Sequence, residues 1–230
     1  MKAILFDHGG TIDSNGTAWK ELFFPLYLEC GIPVSNEQFD RAFYDADDNL
    51  SARHRLQGLG LAETVLLQVT DVLENLRMED SVKAEKIAGE FVKNCRMFFA
   101  RNKPVLAALA KKFRLGVVSN NYGNLESMLN SEGLLEYFGA VADSGAVGSA
   151  KPDKGIFLHA LDRLAVSPRD AMMVGDCARR DIAGALALDM RAAFLRGSRK
   201  EQALPQDWGA RVIVLDSLQE LPEKLAAGGF

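Results

Sequence analysis

Three short apolar runs of the sequence lead directly into polar residues that could take part in chemistry. These residues are Asp7, Ser119 and Asp176, and a fourth candidate, Lys151, stands in a loop before a helix-like segment. The Asp7 carboxylate could attack phosphorus and form an aspartyl-phosphate. With Asp176 at the same edge of a sheet, it would also offer the hard oxygen ligands that Mg²⁺ prefers. The set therefore predicts a site for a phosphoryl group.

Neighbouring groups could hold the phosphate itself. Lys151 would supply a positive charge for phosphate oxygens or for the charge that develops in the transition state. The Ser119 hydroxyl, with Asn120 beside it, and the backbone N–H groups around Gly10 and Thr11 could donate hydrogen bonds. We expect these five residues to bind the phosphate.

Strands that are buried on both faces would bring these residues together. Six nearly continuous apolar runs have that signature, which is typical of parallel sheets. They are residues 2–6, 115–118, 140–142, 171–174, 191–195 and 211–215. Helix-like segments alternate with them at residues 103–113, 124–132, 154–164 and 178–188. The alternation predicts an α/β fold with a Rossmann-like, doubly wound parallel sheet, whose functional residues lie at the carboxyl ends of the strands.

The stretch between the first and second runs does not fit this alternation. Residues 17–100 read as four or five helices without a convincing strand, which predicts an inserted all-helical cap domain. The core would then comprise residues 1–16 and 101–230. We expect the cap to close over the site and to set substrate choice. Its aromatic residues Trp19, Phe23 and Phe24 are interpreted as core rather than as substrate contacts.

Composition and charge exclude several functional classes. A charged fraction of 25% and a net charge of −4 favour a globular protein without a nucleic-acid or anionic-membrane partner. No apolar run suits a secretory signal or is long enough to span a bilayer. The cysteines Cys30, Cys95 and Cys177 have no metal-ligand spacing. We expect a cytoplasmic protein that acts on a small phosphorylated molecule, and the oligomeric state stays open.

The order of the motifs resembles that of the haloacid dehalogenase superfamily. The matching segments are Asp7-His8-Gly9-Gly10-Thr11, Ser119-Asn120-Asn121, Lys151-Pro152-Asp153 and Gly175-Asp176-Cys177-Ala178-Arg179-Arg180-Asp181. The resemblance covers the whole chain. A helical block between the first and second motifs is similar to the family's C1-type cap.

This resemblance implies a hydrolase that depends on Mg²⁺, most simply a phosphatase for a small phosphorylated metabolite. The nucleophile would be Asp7, which forms the aspartyl-phosphate. The implied catalytic residues are Asp7, Ser119 and Lys151. The implied metal ligands are Asp7, Asp176, Asp181 and the backbone carbonyl of Gly9.

Position 9 departs from the family's pattern. The family's phosphatases carry Asp there, which protonates the leaving group and then activates water, but Gly9 has no side chain. The neighbouring His8 titrates in a useful range, although we expect it to project in a different direction. Gly9→Asp is therefore expected to raise phosphatase activity if the rest of the site is intact.

Three alternatives follow from the missing acid. The 2-haloacid dehalogenases place an aromatic residue at position 9 and use no metal, which disagrees with Gly175-Asp176. The phosphonoacetaldehyde hydrolases place Ala at position 9 and use a cap lysine, but this chain has no lysine between Lys20 and Lys83. A catalytically impaired protein that binds a phosphorylated ligand without turnover is the third alternative.

Overall fold

The structure is a computed structural model that describes residues 1–197 and 206–227. The predicted core also extends over residues 198–205 and 228–230, which lie outside the described residues. The described part contains a parallel sheet of six strands in the order β3-β2-β1-β4-β5-β6. The strands are β1 (Ala3–Phe6), β2 (Arg114–Ser119), β3 (Ala140–Asp143), β4 (Ala171–Gly175), β5 (Arg191–Leu195) and β6 (Val212–Leu215).

Burial explains why the strands read as continuous apolar runs. Every residue of β1, β3 and β4 is buried, because helices cover both faces of the sheet. Phe6 at the end of β1 pairs with Val117 of β2 and Val174 of β4. The carboxyl ends of three neighbouring strands therefore meet, at the point where the strand order reverses.

Helices surround the sheet. They are α1 (Trp19–Glu29), α2 (Asn36–Arg53), α3 (Leu61–Asn75), α4 (Ser81–Ala110), α5 (Leu125–Ser131), α6 (Ser144–Val147), α7 (Lys154–Leu164), α8 (Ala183–Leu186) and α9 (Leu221–Ala226). Single 3-10 turns lie at Leu135–Tyr137, Pro168–Asp170 and Leu218–Glu220, and a kinked 3-10 segment at Gln206–Arg211. Ile4 and Phe6 pack in one hydrophobic cluster and Leu5 in another, with Phe157 of α7. The predicted fold class is confirmed.

The segment between β1 and β2 is all helical. We refer to α1–α4 as the helical insertion. Aromatic rings fill its interior: Phe23 and Phe91 stack with their centroids 3.7 Å apart, and Phe24 packs against Phe39 at 5.3 Å. Phe23 is buried, as the helical spacing predicts. None of the described helices combines the length and the apolar character needed to cross a membrane.

Helix α4 differs from the sequence-based expectation. It runs without a break from Ser81 to Ala110 and contains Pro104, where the sequence predicts a new helix from residue 103. Phe99 and Leu106, on either side of the proline, pack in the same hydrophobic cluster. The buried Asn102 amide donates to the Ile12 carbonyl at 2.8 Å and ties the helix to the loop after β1. The predicted domain boundary at residue 101 stays a prediction.

The segment after β4 also differs from the expected long helix. Residues Ala178–Ile182 form a π-helical turn, and α8 occupies only Ala183–Leu186. The Asp181 carboxylate accepts the Cys177 N–H at 2.9 Å. This contact turns the Asp181 side chain inward, so the irregular turn positions a buried carboxylate rather than continuing a regular helix.

Candidate functional site

Three buried carboxylates meet at the carboxyl end of the central strands. Asp7 follows β1, Asp176 follows β4, and Asp181 lies in the π-helical turn. One oxygen of each lies within 4.8 Å of the others. Like charges this close disfavour one another's ionisation unless cations compensate them. Burial accordingly raises the pKa of Asp181, although Lys151 opposes the shift.

The Lys151 ammonium is in direct contact with two of the three carboxylates. Its Nζ lies 2.6 Å from Asp7 Oδ1 and 2.7 Å from Asp181 Oδ1. Burial lowers the pKa of Lys151, but the carboxylates of Asp181 and Asp7 outweigh burial and raise it above its ordinary value. When all three carboxylates are ionised, they outnumber the two cations whose pKa they raise, Lys151 and Arg180. An all-oxygen cluster with that charge fits a divalent cation such as Mg²⁺.

The loop after β1 packs against the carboxylate cluster. Gly10 has a φ of +88°, and a Cβ there would lie 2.6 Å from Asp176 Oδ1, so only glycine fits. The Thr11 hydroxyl donates to Asp176 Oδ1 at 3.5 Å. The Gly10 N–H donates to Asp13 Oδ1 at 2.8 Å, and the Thr11 N–H donates to the His8 carbonyl. Gly10 and Thr11 therefore support Asp176 and the loop, and their phosphate contacts stay a prediction.

Asn120 has a structural role that the sequence does not predict, and its phosphate contact stays a prediction. Its Oδ1 accepts the Lys151 N–H at 2.7 Å, and its Nδ2 donates to the Lys151 carbonyl at 3.1 Å. Both ends of the amide therefore hold the Lys151 backbone, which places the ammonium between the carboxylates. Ser119 lies at the end of β2, as predicted, with its side chain at the wall of the cavity.

These residues open into one cavity of about 160 Å³ between the sheet and the helical insertion. The sheet side is lined by Asp7, His8, Gly9, Ser119, Asn120, Asn121, Tyr122, Lys151, Asp176 and Arg180. The helical insertion contributes Ala18 just before α1 and Trp19, Lys20, Phe43, Tyr44 and Asp47. The structure thus brings Asp7, Ser119, Lys151 and Asp176 together, whereas Asp181 lies beneath the cavity.

The Trp19 indole lies where a side chain at position 9 would begin. A Cβ on Gly9 would be 3.4 Å from Trp19 Nε1 and 3.7 Å from Trp19 Cδ1. The indole N–H donates a short hydrogen bond to Asp13 Oδ2, and the ring packs edge-on against Phe91 at 5.0 Å. Trp19 packs against the hydrophobic core, as predicted, but it is only half-buried and also lines the cavity.

Asp13 is a buried residue that the sequence analysis does not single out. It accepts hydrogen bonds from Gly10 and Trp19, and burial raises its pKa to about 7. Burial also lowers the pKa of His8 to about 4, and His8 Nδ1 lies 3.7 Å from Asp13 Oδ2. At neutral pH His8 is therefore a neutral imidazole, which makes it a poor substitute for the acid missing at position 9.

Asp47 is a second residue that sequence reasoning misses. It lies on α2 at the wall of the cavity, where the Tyr122 hydroxyl donates a short hydrogen bond to its Oδ1. Gln68 Nε2 donates to the same oxygen at 3.0 Å. Burial raises the pKa of Asp47. No pattern in the sequence distinguishes it from Asp45 and Asp48 on the same helix, because only the packing of α2 over the sheet selects it.

The carboxylate cluster thus lies at the reversal point of a doubly wound sheet, beneath a helical insertion, where α/β proteins bind their ligands. The family model of haloacid dehalogenase-like hydrolases matches residues 1–189, and the chain belongs to this family. The predicted resemblance is thereby confirmed, and the protein is a hydrolase.

Individual relatives differ in how much of the chain they match. The haloacid dehalogenase-like hydrolase domain-containing protein 3 of Mus musculus is 39% identical over 108 residues, which are 47% of this chain and 43% of that protein. The glyceraldehyde 3-phosphate phosphatase of Methanothermobacter thermautotrophicus is 26% identical over 98% of this chain and 100% of its own length. The crystal structure of a 2-haloacid dehalogenase from Pseudomonas syringae superimposes with a TM-score of 0.55, at 27% identity over 99% of each chain.

Proposed function

We propose that this hydrolase is a Mg²⁺-dependent phosphatase that acts on a small phosphorylated molecule through an aspartyl-phosphate at Asp7. The observation that carries the proposal is the triple carboxylate cluster, which lies against the Lys151 ammonium at one end of the cavity. Its excess of negative charge suits a dication, and a dication suits a phosphate dianion. The full-length similarity to a phosphatase supports the same reaction class. A cytoplasmic location stays a prediction.

The proposed mechanism begins with the positioning of the phosphate. Lys151 and the Ser119 hydroxyl would hold phosphate oxygens beside Asp7, which lines the sheet side of the cavity. Mg²⁺, held by Asp7, Asp176 and Asp181, would offset charge on the phosphate and so permit the approach of a carboxylate. An Asp7 oxygen then bonds to phosphorus as the bond to the leaving oxygen breaks. Water hydrolyses the aspartyl-phosphate and regenerates Asp7.

Asp7→Asn tests this proposal, because an amide is a poor nucleophile. We expect the variant to lose turnover of p-nitrophenyl phosphate, and the native protein to carry a phosphoryl group on Asp7 after acid quenching, detected by peptide mass spectrometry. Asp13→Asn is the matched control, since Asp13 is a buried carboxylate of the same loop outside the cavity wall. Turnover in Asp7→Asn would contradict the covalent mechanism.

A dehalogenase is the second candidate, and Trp19 favours it. The indole over Gly9 gives this position an aromatic neighbour, and the Pseudomonas syringae structure is that of a 2-haloacid dehalogenase. The cluster argues against it, because displacement of halide from carbon needs no metal to offset a phosphate dianion. Release of chloride from 2-chloropropionate, without Mg²⁺ and dependent on Asp7, would favour this candidate.

The alternative of a phosphonoacetaldehyde hydrolase, which would use a lysine of the cap, has less support. Lys20 of the helical insertion does line the cavity, but its Nζ lies 2.8 Å from Asp40 Oδ2. This hydrogen bond raises the pKa of Lys20, and a protonated amine does not attack a carbonyl. A protein that binds phosphate without turnover is separated from an enzyme by the Asp7 experiment.

A further inference from the structure

We infer that Asp47 of the helical insertion is the general acid and base of this hydrolase, in the role for which Gly9 has no side chain. The inference rests on the proposed phosphatase function. It follows from where Asp47 lies, from how its carboxylate is held, and from what the other groups around the cavity can do.

The direction of phosphoryl transfer places the missing acid opposite Asp7. The attacking and leaving oxygens lie roughly in line across phosphorus, so the leaving group points away from Asp7. Asp7 lies at the sheet side of the cavity, and Asp47 belongs to the helical insertion that forms the other wall. Asp47 is therefore on the side of the cavity toward which the leaving oxygen would point.

The hydrogen bonds of Asp47 leave one oxygen available for proton transfer. The Tyr122 hydroxyl and the Gln68 amide both donate to Oδ1. Oδ2 has no hydrogen-bond partner within residues 1–197 and 206–227. Two donors from different elements, one on α3 and one in the loop after β2, therefore fix Oδ1. Asp47 lines the cavity, and its Oδ2 atom has no donor among the described residues. Tyr122 and Gln68 act as positioning residues.

The surroundings of Asp47 favour its protonated form. Burial raises its pKa, and the nearby Asp48 adds to the shift, while the Tyr122 hydrogen bond and Arg180 oppose it. A raised pKa makes the carboxyl a better proton donor in the first step only in the sense that more of it is protonated, and the carboxylate it leaves can accept a proton in the second step.

The other titratable groups of the cavity wall suit the role less well. His8 has a pKa of about 4 and is neutral. Lys20 is held by Asp40. The phenol of Tyr122 is a weak acid whose pKa burial raises further, and it already donates to Asp47. Asp7, Asp176 and Lys151 form the nucleophile and metal cluster.

The proposed proton transfers balance over the two steps. In the first, Asp7 bonds to phosphorus, the bond to the leaving oxygen breaks, and the Asp47 carboxyl gives that oxygen its proton, which releases an alcohol. In the second, the Asp47 carboxylate takes a proton from water as the water oxygen bonds to phosphorus. The bond between phosphorus and Asp7 then breaks, phosphate leaves, and Asp47 is protonated again.

Two aryl phosphates of similar shape test the inference. Phenol is a poor leaving group that needs a proton, whereas p-nitrophenol leaves without one. We expect Asp47→Asn to lower the rate at which phenyl phosphate phosphorylates Asp7 by about 10²-fold or more, and to lower the same rate with p-nitrophenyl phosphate by less than about tenfold. The amide keeps an acceptor for Tyr122, so the fold is preserved. Asp45→Asn, an exposed carboxylate on α2 that does not line the cavity, is the control and should leave both rates unchanged.

The outcomes separate this inference from the proposed function. An equal loss for both substrates, or no loss for phenyl phosphate, overturns the role of Asp47 while Asp7-dependent turnover still supports the phosphatase. No phosphorylated Asp7 in the native protein overturns both. Tyr122→Phe serves as a second variant, and we expect a lower kcat for phenyl phosphate with an unchanged KM. Unchanged kcat in this variant, with Asp47→Asn impaired, removes Tyr122 from the positioning role and leaves Asp47 supported by its own leaving-group dependence.

Discussion

The substitution Gly9→Asp tests whether the protein lacks a general acid or carries one at a position other than 9. From the sequence alone, a new carboxyl at position 9 should raise activity strongly. In the structure the backbone of Gly9 lies outside the left-handed region, so an L side chain is tolerated there. Its Cβ would lie 3.4 Å from Trp19 Nε1, which requires a shift of a few tenths of an ångström at most. The steric cost of the Cβ is therefore small.

The expected gain depends on Asp47. A positioned acid contributes about 10²–10⁴-fold, or roughly 3–5 kcal/mol of barrier. If Asp47 already supplies the proton, a second acid adds little, because groups that serve the same step are not additive. We expect Gly9→Asp to change kcat/KM for phenyl phosphate by less than about tenfold in the native background, and to recover about 10²-fold in the Asp47→Asn background.

Gly9→Ala is the matched control, because it adds the same Cβ beside Trp19 without a carboxyl group. Each kcat/KM is measured at saturating Mg²⁺ with phenyl phosphate, and the ratio of the Asp to the Ala variant is compared between the two backgrounds. A gain of about 10²-fold in the native background would refute the reasoning. It would mean that no acid operates in the natural protein and that Asp47 has another role.

Four further outcomes are expected. Asp176→Asn should abolish the rise in Tm that Mg²⁺ gives the native protein, and an unchanged rise would move the metal elsewhere. Gly10→Ala should lower the free energy of unfolding by about 1–3 kcal/mol in chemical denaturation, because its Cβ meets Asp176 in a left-handed backbone. Asn120→Ala should cost about 1–3 kcal/mol and lower kcat, since Lys151 loses its backbone anchors; equal kcat would exclude a positioning role. Burial raises the pKa of Asp13 to about 7, so its stabilising protonated form is lost as pH rises toward 7. The Tm of the native protein should therefore fall relative to Asp13→Asn between about pH 4 and 7, and parallel profiles would contradict that pKa.

Local sequence could predict the sheet and the strand-end residues because both depend on short-range patterns. Apolar runs define buried strands, and parallel strands bring their carboxyl ends together, which places Asp7, Ser119 and Asp176 at one edge. The roles of Gly10 and Asn120 were not predictable in this way. Their hydrogen-bonding groups could serve a ligand or the chain itself, and only the folded loops decide between these partners.

The side of the cavity formed by the helical insertion could not be predicted from local patterns. Helical spacing identifies the buried face of a helix, but it does not show which residues at the border of that face meet another part of the chain. Trp19 and Asp47 lie at such borders. Asp47 contacts Tyr122, which is 75 residues away in the sequence. Trp19 lies beside Gly9 because the loop after β1 turns back on itself, and no periodic pattern indicates either contact.

The unbroken helix α4 would amplify a small bend at Pro104 into a large displacement of the helical insertion. From Ser81 to Pro104 its axis extends about 34 Å, so a bend of about 10° at the proline would move the far end by about 6 Å. Pro104 has no N–H for the Ala100 carbonyl, which makes this the softest point of the helix. We therefore expect ligand access to depend on flexing of one helix rather than on two loose linkers. Spin labels at the exposed positions Val82 and Asp162 should change their separation when Mg²⁺ and vanadate bind, and a constant separation would show that α4 stays rigid.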